Sequence, residues 1–119
     1  MIINISNHPS DTWDNLQKEA GSKYGEIIDI EFPIMSAQLD EEEVEKLAND
    51  YADKVTKYYP EAVMIQGEYT FTYRLVNKLK KSGIACISAC SERMATVEEN
   101  PDGSCKKTSV FRFVKFREY

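Results

Sequence analysis

Short apolar runs alternate with amphipathic stretches along most of the chain. The apolar runs predict four strands, and the last two are continuously apolar, which is typical of strands buried on both faces of a sheet. These strands are predicted at residues 1–6, 26–32, 62–66 and 84–89. Between them, apolar residues recur at the spacing of a helix face, which predicts three helices. The helices are predicted at residues 10–23, from Asp40 to an exit at Pro60, and at residues 69–81.

Polar residues next to these runs predict where the helices begin. Ser10 is the expected N-cap of the first helix. The apolar face of that helix is predicted to hold Trp13, Leu16 and Ala20. Asp40 and Glu43 have the spacing of an N-cap and its third-residue partner, so the second helix is expected to begin there.

A turn signal dominates the last thirty or so residues. The segment Asn-Pro-Asp-Gly at 100–103 predicts a hairpin between antiparallel strands at 95–98 and 104–116. The second of these strands has apolar residues on both faces, which predicts that it is well covered. Strands separated by helices imply right-handed crossovers and a parallel sheet. The chain is therefore predicted to be a single α/β domain, 1–119, of three-layer Rossmann-like architecture, with a mostly parallel sheet and a C-terminal antiparallel hairpin.

Composition narrows the classes of function. The chain has 119 residues, of which 42% are hydrophobic and 29% charged, and a net charge of −5. This acidic balance argues against binding long nucleic acids, which requires a basic footprint. The apolar runs are far shorter than the roughly 20 residues that cross a membrane. The odd set Cys86, Cys90 and Cys105 is typical of buried, reduced thiols in a cytoplasmic protein.

Three polar loops follow the predicted parallel strands. Ligands of open α/β sheets bind beyond the carboxyl ends of the strands, so these loops are expected to converge on one site. The first loop offers Ser6, Asn7 and His8. The second offers Gln66, Gly67, Glu68, Tyr69 and Thr70, and the third offers Ser88, Ser91 and Arg93.

Each loop offers a different chemistry. Free N–H groups at the start of the third helix, beside Gly67, suit a phosphate, and Arg93 presents a planar fork to the same group. His8 is the only histidine and is available for proton transfer. Structural alternatives stand beside these interpretations. His8 could be a turn residue without a role in binding, and Glu68 could be an acid that stabilises the first turn of its helix. Gln66 could hydrogen-bond to the main chain. Arg93 could pair with Glu92 or Glu98.

Familiar catalytic motifs are missing. The sequence has neither a P-loop nor a GxGxxG fingerprint. A triad of Ser91, His8 and Asp29 lacks the GxSxG elbow. A zinc site from His8, Cys86 and Cys90 is disfavoured because Cys86 is expected to point into the sheet packing. No metal and no cofactor are expected, apart from a weakly held divalent ion near Glu68 and Glu92.

The segments IINISNHPS, QGEYTFTYRLVNKLKKSGI, ACSER and TSVFRFVKFREY together resemble small Rossmann-like accessory proteins of type III CRISPR systems. Several such families are ring nucleases, and the resemblance implies a homodimer that binds cyclic oligoadenylate and cuts it without metal. The ribose 2′-OH would attack the adjacent phosphate in line. The resemblance implies that Arg93 and the start of the third helix hold the phosphate. It also implies that Ser6, Asn7 and Ser91 hold ribose or base, with His8 or Glu68 as general acid or base.

Three hypotheses remain open from the sequence. The first is a metal-independent ring nuclease, with cyclic tetra-adenylate as the favoured ring. The second is a module that senses or sequesters the same ligand without cutting it. The third is a nucleoside-processing enzyme of deoxyribosyltransferase type, with Glu68 as its nucleophile.

Overall fold

A computed structural model describes all residues, 1–119, and shows five strands in one sheet. The strands are β1 (Ile2–Ser6), β2 (Ile27–Asp29), β3 (Ala62–Gln66), β4 (Ala85–Glu99) and β5 (Cys105–Glu118). The helices are α1 (Asn15–Ser22), α2 (Glu41–Thr56) and α3 (Tyr69–Lys81), and a short 3-10 helix spans Ser10–Thr12. The sheet order is β2-β1-β3-β4-β5, parallel except for the antiparallel β4–β5 pair. The predicted fold class, an α/β domain with a C-terminal antiparallel hairpin, is confirmed.

Side-chain alternation along the strands builds an apolar core on each face of the sheet. Ile3 and Ile5 of β1 belong to the larger core, which α2 and α3 cover. Ile2 belongs to a smaller core on the other face, around Trp13. Because both faces are covered, β1 is buried along its whole length. Helices therefore lie on both sides of the sheet, as the three-layer prediction requires.

The first helix begins later than predicted. Asp14, not Ser10, is the N-cap of α1, and its carboxylate accepts from the N–H of Gln17 at 2.8 Å. Ser10 instead donates its N–H and its hydroxyl to Asp29 at the end of β2. This contact across 19 residues holds residues 10–12 in a separate turn. The prediction for Leu16 was also wrong, because its side chain is 52% exposed. By contrast, the predicted cap of α2 by Asp40 is confirmed.

The predicted fourth strand and the first hairpin strand are one continuous strand, β4. A bulge at Cys90/Ser91 kinks it without ending it, so the predicted third polar loop is part of a strand. From the Ser91–Phe113 pair outward, β4 and β5 leave the domain as a two-stranded hairpin. We call residues 91–112 the hairpin arm, and all their side chains are exposed. The prediction that the last strand is well covered was therefore wrong. The turn at Asn100 is confirmed by its bond from the Gly103 N–H.

The cysteines have three different environments. Cys86 is buried, and burial raises the pKa of its thiol to about 11, so it stays protonated and unreactive. Cys90 is half-buried, and Cys105 is exposed on the hairpin arm, which corrects the prediction that all three are buried. None forms a disulfide. None of the helices has both the length and the apolar character needed to cross a membrane.

Candidate functional site

The carboxyl ends of β1 and β3 mark the switch point of the sheet. Ser6 and Gln66 pair there as the last residues of the two strands. The chain leaves β1 toward α1 on one face and leaves β3 toward α3 on the other, which opens a crevice between the two connections. Three cavities surround this point, and each has Ser6 or Gln66 in its wall.

The first of these, the Asp29 cavity, lies between the ends of β1 and β2 and has a volume of about 600 Å³. Its wall includes Asn4, Asn7, Asp29, Glu31, Phe32 and Glu68. Three of these residues carry carboxylates and none is a cation. The cavity is therefore negatively charged and repels a free phosphate.

A network of side chains holds the loop after β1. Asn4 is 2% exposed, and its amide donates to the carbonyl of His8 at 2.9 Å and to Asp29 at 2.8 Å. Its carbonyl oxygen accepts from the hydroxyl of Ser6 at 2.8 Å. The indole N–H of Trp13 reaches the same His8 carbonyl at 3.1 Å. The turn is thus defined by the main chain of His8, while Asp29 bonds to Asn4 and Ser10 and not to the imidazole.

The second cavity, the His8 cavity, lies on the α1 face and has a volume of about 360 Å³. Its wall includes Ser6, His8, Trp13, Gln66, Ser91 and Phe111. The imidazole of His8 is exposed and makes no hydrogen bond within the chain, so it is free to meet a ligand. Of the predicted site residues, this cavity brings together Ser6, His8, Gln66 and Ser91.

Gln66 has a structural role that the sequence left open. Its side-chain carbonyl accepts from the N–H of Ala89 at 2.9 Å, and its amide approaches the Ala89 carbonyl at 3.4 Å. The side chain therefore continues the pairing of β3 with β4 after the β3 main chain has turned away. The alternative that Gln66 bonds to main chain is confirmed.

The third cavity, the tyrosine cavity, lies between α3 and the base of the hairpin arm and has a volume of about 600 Å³. Its wall includes Tyr69, Thr72, Tyr73, Asn77, Ser88 and Tyr119. The wall also includes Gln66 and Gly67, which lie at the switch point. The predicted residues Gly67, Tyr69 and Ser88 therefore face a different cavity from His8 and Ser91.

Glu68 occupies the start of α3 with its own carboxylate. The carboxylate accepts from the N–H groups of Thr70 and Phe71, both at 2.9 Å, and from the Thr70 hydroxyl. The N–H groups that were expected to be free for a phosphate are therefore already bonded. Partial burial tends to raise the pKa of Glu68, but these hydrogen bonds outweigh it and hold the pKa below its ordinary value. Glu68 is ionised at neutral pH and is a poor proton donor.

Replacing Glu68 with alanine is expected to destabilise the protein by about 1 kcal/mol, the typical cost of losing an N-cap. Because the folded-state pKa is lowered, the contribution is present at neutral pH and disappears as the pH falls through that pKa. Urea unfolding from pH 7 to pH 3 measures the difference between wild type and Glu68→Ala. The Glu68→Gln variant, which keeps one acceptor oxygen, should lose less. An equal difference at every pH would contradict this account.

The candidate cations lie outside the three cavities. Arg93 is in β4, opposite Phe111 and two rungs beyond Ser91, so it lies on the arm near the His8 cavity but not in its wall. It forms no salt bridge, so the alternative that it pairs with Glu92 or Glu98 is wrong. On α3, Arg74 pairs with Glu45 of α2 at 3.2 Å, and Lys78 binds the same carboxylate. Within one chain, no cation is available to a ligand phosphate in these cavities.

The sequence did not single out several residues of this region. Asn4 was missed, although an amide inside the apolar run MIINIS is a signal of a buried polar network. The sequence pattern identifies Thr72, Tyr73 and Asn77 only as residues of a helix. Their spacing on α3 becomes informative once the side of the helix that faces the cavity is known. Nowhere do three or more His, Cys, Asp or Glu side chains cluster as a metal site would require.

The chain matches the sequence model of the family described as "Uncharacterized protein MJ1673 family" over residues 1–117, and it belongs to that family. No curated protein gives a significant match. No solved structure gives one either.

Proposed function

We propose that this member of the MJ1673 family binds cyclic oligoadenylate as a homodimer at the carboxyl edge of its sheet, and cleaves the ring there. The ligand class and its cleavage rest on the resemblance to type III CRISPR accessory proteins. The observation that carries the proposal is the convergence of three cavities on Ser6 and Gln66 at the switch point. Nucleotides are common ligands of such crevices in doubly wound sheets.

The hairpin arm supports a two-chain arrangement. It exposes the apolar cross-strand pair Met94–Val110, and Phe111, which is 71% exposed, adjoins the His8 cavity. Exposed apolar groups in such number are typical of interaction surfaces. The arm and the adjoining end of β5 also carry six of the fifteen basic residues, at positions 93, 106, 107, 112, 115 and 117. The arm, residues 91–112, also carries four acidic residues, at positions 92, 98, 99 and 102, so its net charge is zero. In a two-fold dimer, individual basic side chains of the partner's arm supply the positive charge that the cavities lack.

Cleavage in this proposal needs little from the protein. The ribose 2′-OH loses its proton to water as its oxygen attacks the adjacent phosphorus, a 2′,3′-cyclic phosphate forms, and the bond to the 5′-oxygen breaks. The leaving 5′-oxygen takes a proton, and His8 is the donor because its imidazole is free and borders a cavity. Glu68 is unsuited to this role because its carboxylate is ionised and bonded to α3. The partner's Arg93 stabilises the phosphorane charge, because no cation of the same chain lines the cavities.

The proposal includes a cytoplasmic location, in keeping with three unpaired thiols. A sensor that binds the ring without cutting it is the second candidate. The observation that favours it is the commitment of Glu68 to the helix start, which leaves His8 as the one candidate acid at the crevice.

Incubation with cyclic tri-, tetra- and hexa-adenylate, with EDTA or with Mn²⁺, tests the proposal directly. Chromatography of the products and calorimetry of binding are read together. Cleavage in EDTA, with one ring bound per two chains, is the expected result. Binding without products would select the sensor, and no interaction with any ring would overturn both.

Two substitutions test the assigned roles. His8→Ala should slow cleavage at least about 100-fold, as loss of a general acid does, while leaving the melting temperature unchanged because only the His8 main chain holds the turn. Arg93→Ala should also slow cleavage. Arg112→Ala is the matched control, because it removes the same charge from the neighbouring rung, whose side chains point to the opposite face. Equal losses in the two arginine variants would refute the role of Arg93.

A further inference from the structure

The tyrosine cavity has no charged side chain in its wall, unlike the other two cavities. Its polar groups are hydroxyls and amides, from residues such as Thr72, Tyr73, Asn77 and Ser88. Tyr119 forms a fixed wall, because its hydroxyl donates to the carbonyl of Ile65 and burial raises its pKa. A volume of about 600 Å³ falls within the range of small-molecule sites. The chemistry of this wall suits the uncharged part of a ligand.

Thr72 supplies the observation that points to a ligand. Its side chain is part of the cavity wall, the residue is only 8% exposed, and its hydroxyl has no hydrogen-bond partner. This is the only buried side-chain oxygen or nitrogen in the chain without a partner. A buried hydroxyl without a partner is unfavourable, and native proteins rarely keep one without a use. The oxygen is closed to solvent in the free protein, so rotation about χ1 must turn the hydroxyl into the cavity, where a ligand that donates or accepts would satisfy it.

The exposed edge of α3 offers flat surfaces beside this hydroxyl. Tyr69, Tyr73 and Asn77 follow one another at four-residue spacing, so they form a single stripe along the helix. The rings of Tyr69 and Tyr73 are 89% and 69% exposed, although aromatic side chains usually bury most of their surface. The amide of Asn77 makes no hydrogen bond within the chain, and so keeps both a donor and an acceptor for a ligand.

We propose that the tyrosine cavity is a nucleobase pocket for adenine, in which the base stacks on the exposed tyrosines of α3 while Thr72 and Asn77 bond to its edge. Stacking on tyrosine holds any base, and an asparagine amide matches the N6 and N7 positions of adenine with one donor and one acceptor. This inference deepens the proposed function, on which it rests for the ligand class. It assigns bases to the α3 face and leaves the reacting ribose and phosphate to the His8 cavity.

Other ligand classes fit this cavity less well. A phosphate or carboxylate would enter a wall without a cation. A purely apolar ligand would leave the Thr72 hydroxyl unbonded and would not use Asn77. A planar heterocycle with donors and acceptors on its edge uses all three kinds of group.

Adenosine 5′-monophosphate is the probe for this pocket, because it contains the base without the ring. Saturation-transfer NMR should show the strongest transfer to the base protons. Amide shifts should be confined to the elements of the cavity wall, which are α3, β4 and the residues Gln66, Gly67 and Tyr119. Ribose 5-phosphate is the matched control, and it should not compete for this pocket. Competition by ribose 5-phosphate, or transfer mainly to the ribose protons, would overturn the inference.

Substitutions at the hydroxyl separate a binding role from a structural one. Thr72→Val replaces the hydroxyl with a methyl and should weaken nucleotide binding about fivefold, as expected for one neutral hydrogen bond. Thr72→Ser should bind as the wild type does. Because the hydroxyl has no partner in the free protein, Thr72→Val should not lower the melting temperature. A lowered melting temperature would reveal an internal partner and overturn the inference.

The stacking surface has its own test. Tyr73→Ala should weaken nucleotide binding by about tenfold, and Tyr73→Phe should leave it nearly unchanged, because the ring and not its hydroxyl is needed. Tyr58→Ala, which removes an exposed tyrosine after the end of α2, is the control and should have no effect. Equal binding by Tyr73→Ala and wild type would overturn the inference.

Failure of this inference and failure of the proposed function give different results. If cyclic tetra-adenylate binds and is cut equally well by wild type and Thr72→Val, the proposed function stands and the pocket is wrong. If adenosine 5′-monophosphate binds with the predicted dependence on Thr72 and Tyr73 but no ring binds, the pocket stands and the proposed function falls.

Discussion

Replacing Asn4 with aspartate is expected to destabilise the protein by about 3 kcal/mol or more at neutral pH. The new carboxylate would lie in the place of an amide that is almost completely buried and that donates to Asp29 at 2.8 Å. Two carboxylates would then face each other, and the carbonyl of His8 would lose the Asn4 donor at 2.9 Å and keep only the longer bonds from the Trp13 and Ser6 donors. Burying an unpaired charge beside a second carboxylate costs several times the net value of a hydrogen bond.

Urea unfolding at several pH values measures this effect. The destabilisation should diminish at low pH, because two facing carboxyl groups resist losing both protons and the folded state then binds a proton more tightly than the unfolded chain. The double variant Asn4→Asp, Asp29→Asn is the matched control, since it restores an amide opposite a carboxylate. It should recover part of the loss. A double variant that is no more stable than Asn4→Asp would contradict the role assigned to this pair.

Replacing Gly67 with alanine is expected to cost about 2 to 3 kcal/mol. A Cβ atom at this position would lie closer than 3.0 Å to three ring carbons of Phe32. That ring is buried and packs edge-on against Phe71, with 5.2 Å between the ring centres. The ring must therefore move out of a well-packed core, and overpacking of this kind costs on the order of 1–3 kcal/mol. The demand for glycine here comes from packing and needs no bound phosphate.

A double-mutant cycle with Phe32→Ala isolates this contact. Gly67→Ala should cost less than about 1 kcal/mol once the ring is gone, because the collision is removed. Phe32→Ala alone also destabilises the protein, because it leaves a cavity in the core. The double-mutant cycle subtracts this cost. The same cost for Gly67→Ala in both backgrounds would show that the ring is not the reason for the glycine.

Short sequence patterns were sufficient to predict those elements whose structure depends on residues close together in the chain. The start and end of α3 agree with the prediction, because its apolar spacing and its basic last turn are properties of consecutive residues. The cap of α2 follows from Asp40 and Glu43, three residues apart. Element order then implied the parallel sheet, because a strand that follows a crossover helix pairs in parallel.

Predictions failed where a distant residue decides the local structure. Ser10 was expected to cap α1. Instead, its N–H and its hydroxyl both donate to Asp29, which lies 19 residues later in the chain. The carboxylate of Asp14 is near Gln17 in sequence, yet it also accepts from the N–H of Phe113, 99 residues later. No window along the sequence contains such pairs.

The candidate site was predicted as one cluster, and the structure divides it. Neighbouring positions along a strand point to opposite faces of the sheet, so adjacent residues of one polar loop can enter different cavities. Ser88 borders the tyrosine cavity, whereas Ser91, past the bulge, borders the His8 cavity. The sequence predicted that the polar residues gather at the carboxyl edge of the sheet. It did not predict that they line separate cavities.

For this protein, the sequence alone determined the α/β class, the layers and the edge of the sheet where polar loops gather, because these follow from periodicity and element order. Only the tertiary structure decided which groups remain free for a ligand. Glu68 is consumed by the start of α3 and Gln66 by β4, while the imidazole of His8 and the hydroxyl of Thr72 have no partner. Whether a side-chain group is free for a ligand depends on all the residues around it in space. The packing of the whole chain decides which residues those are.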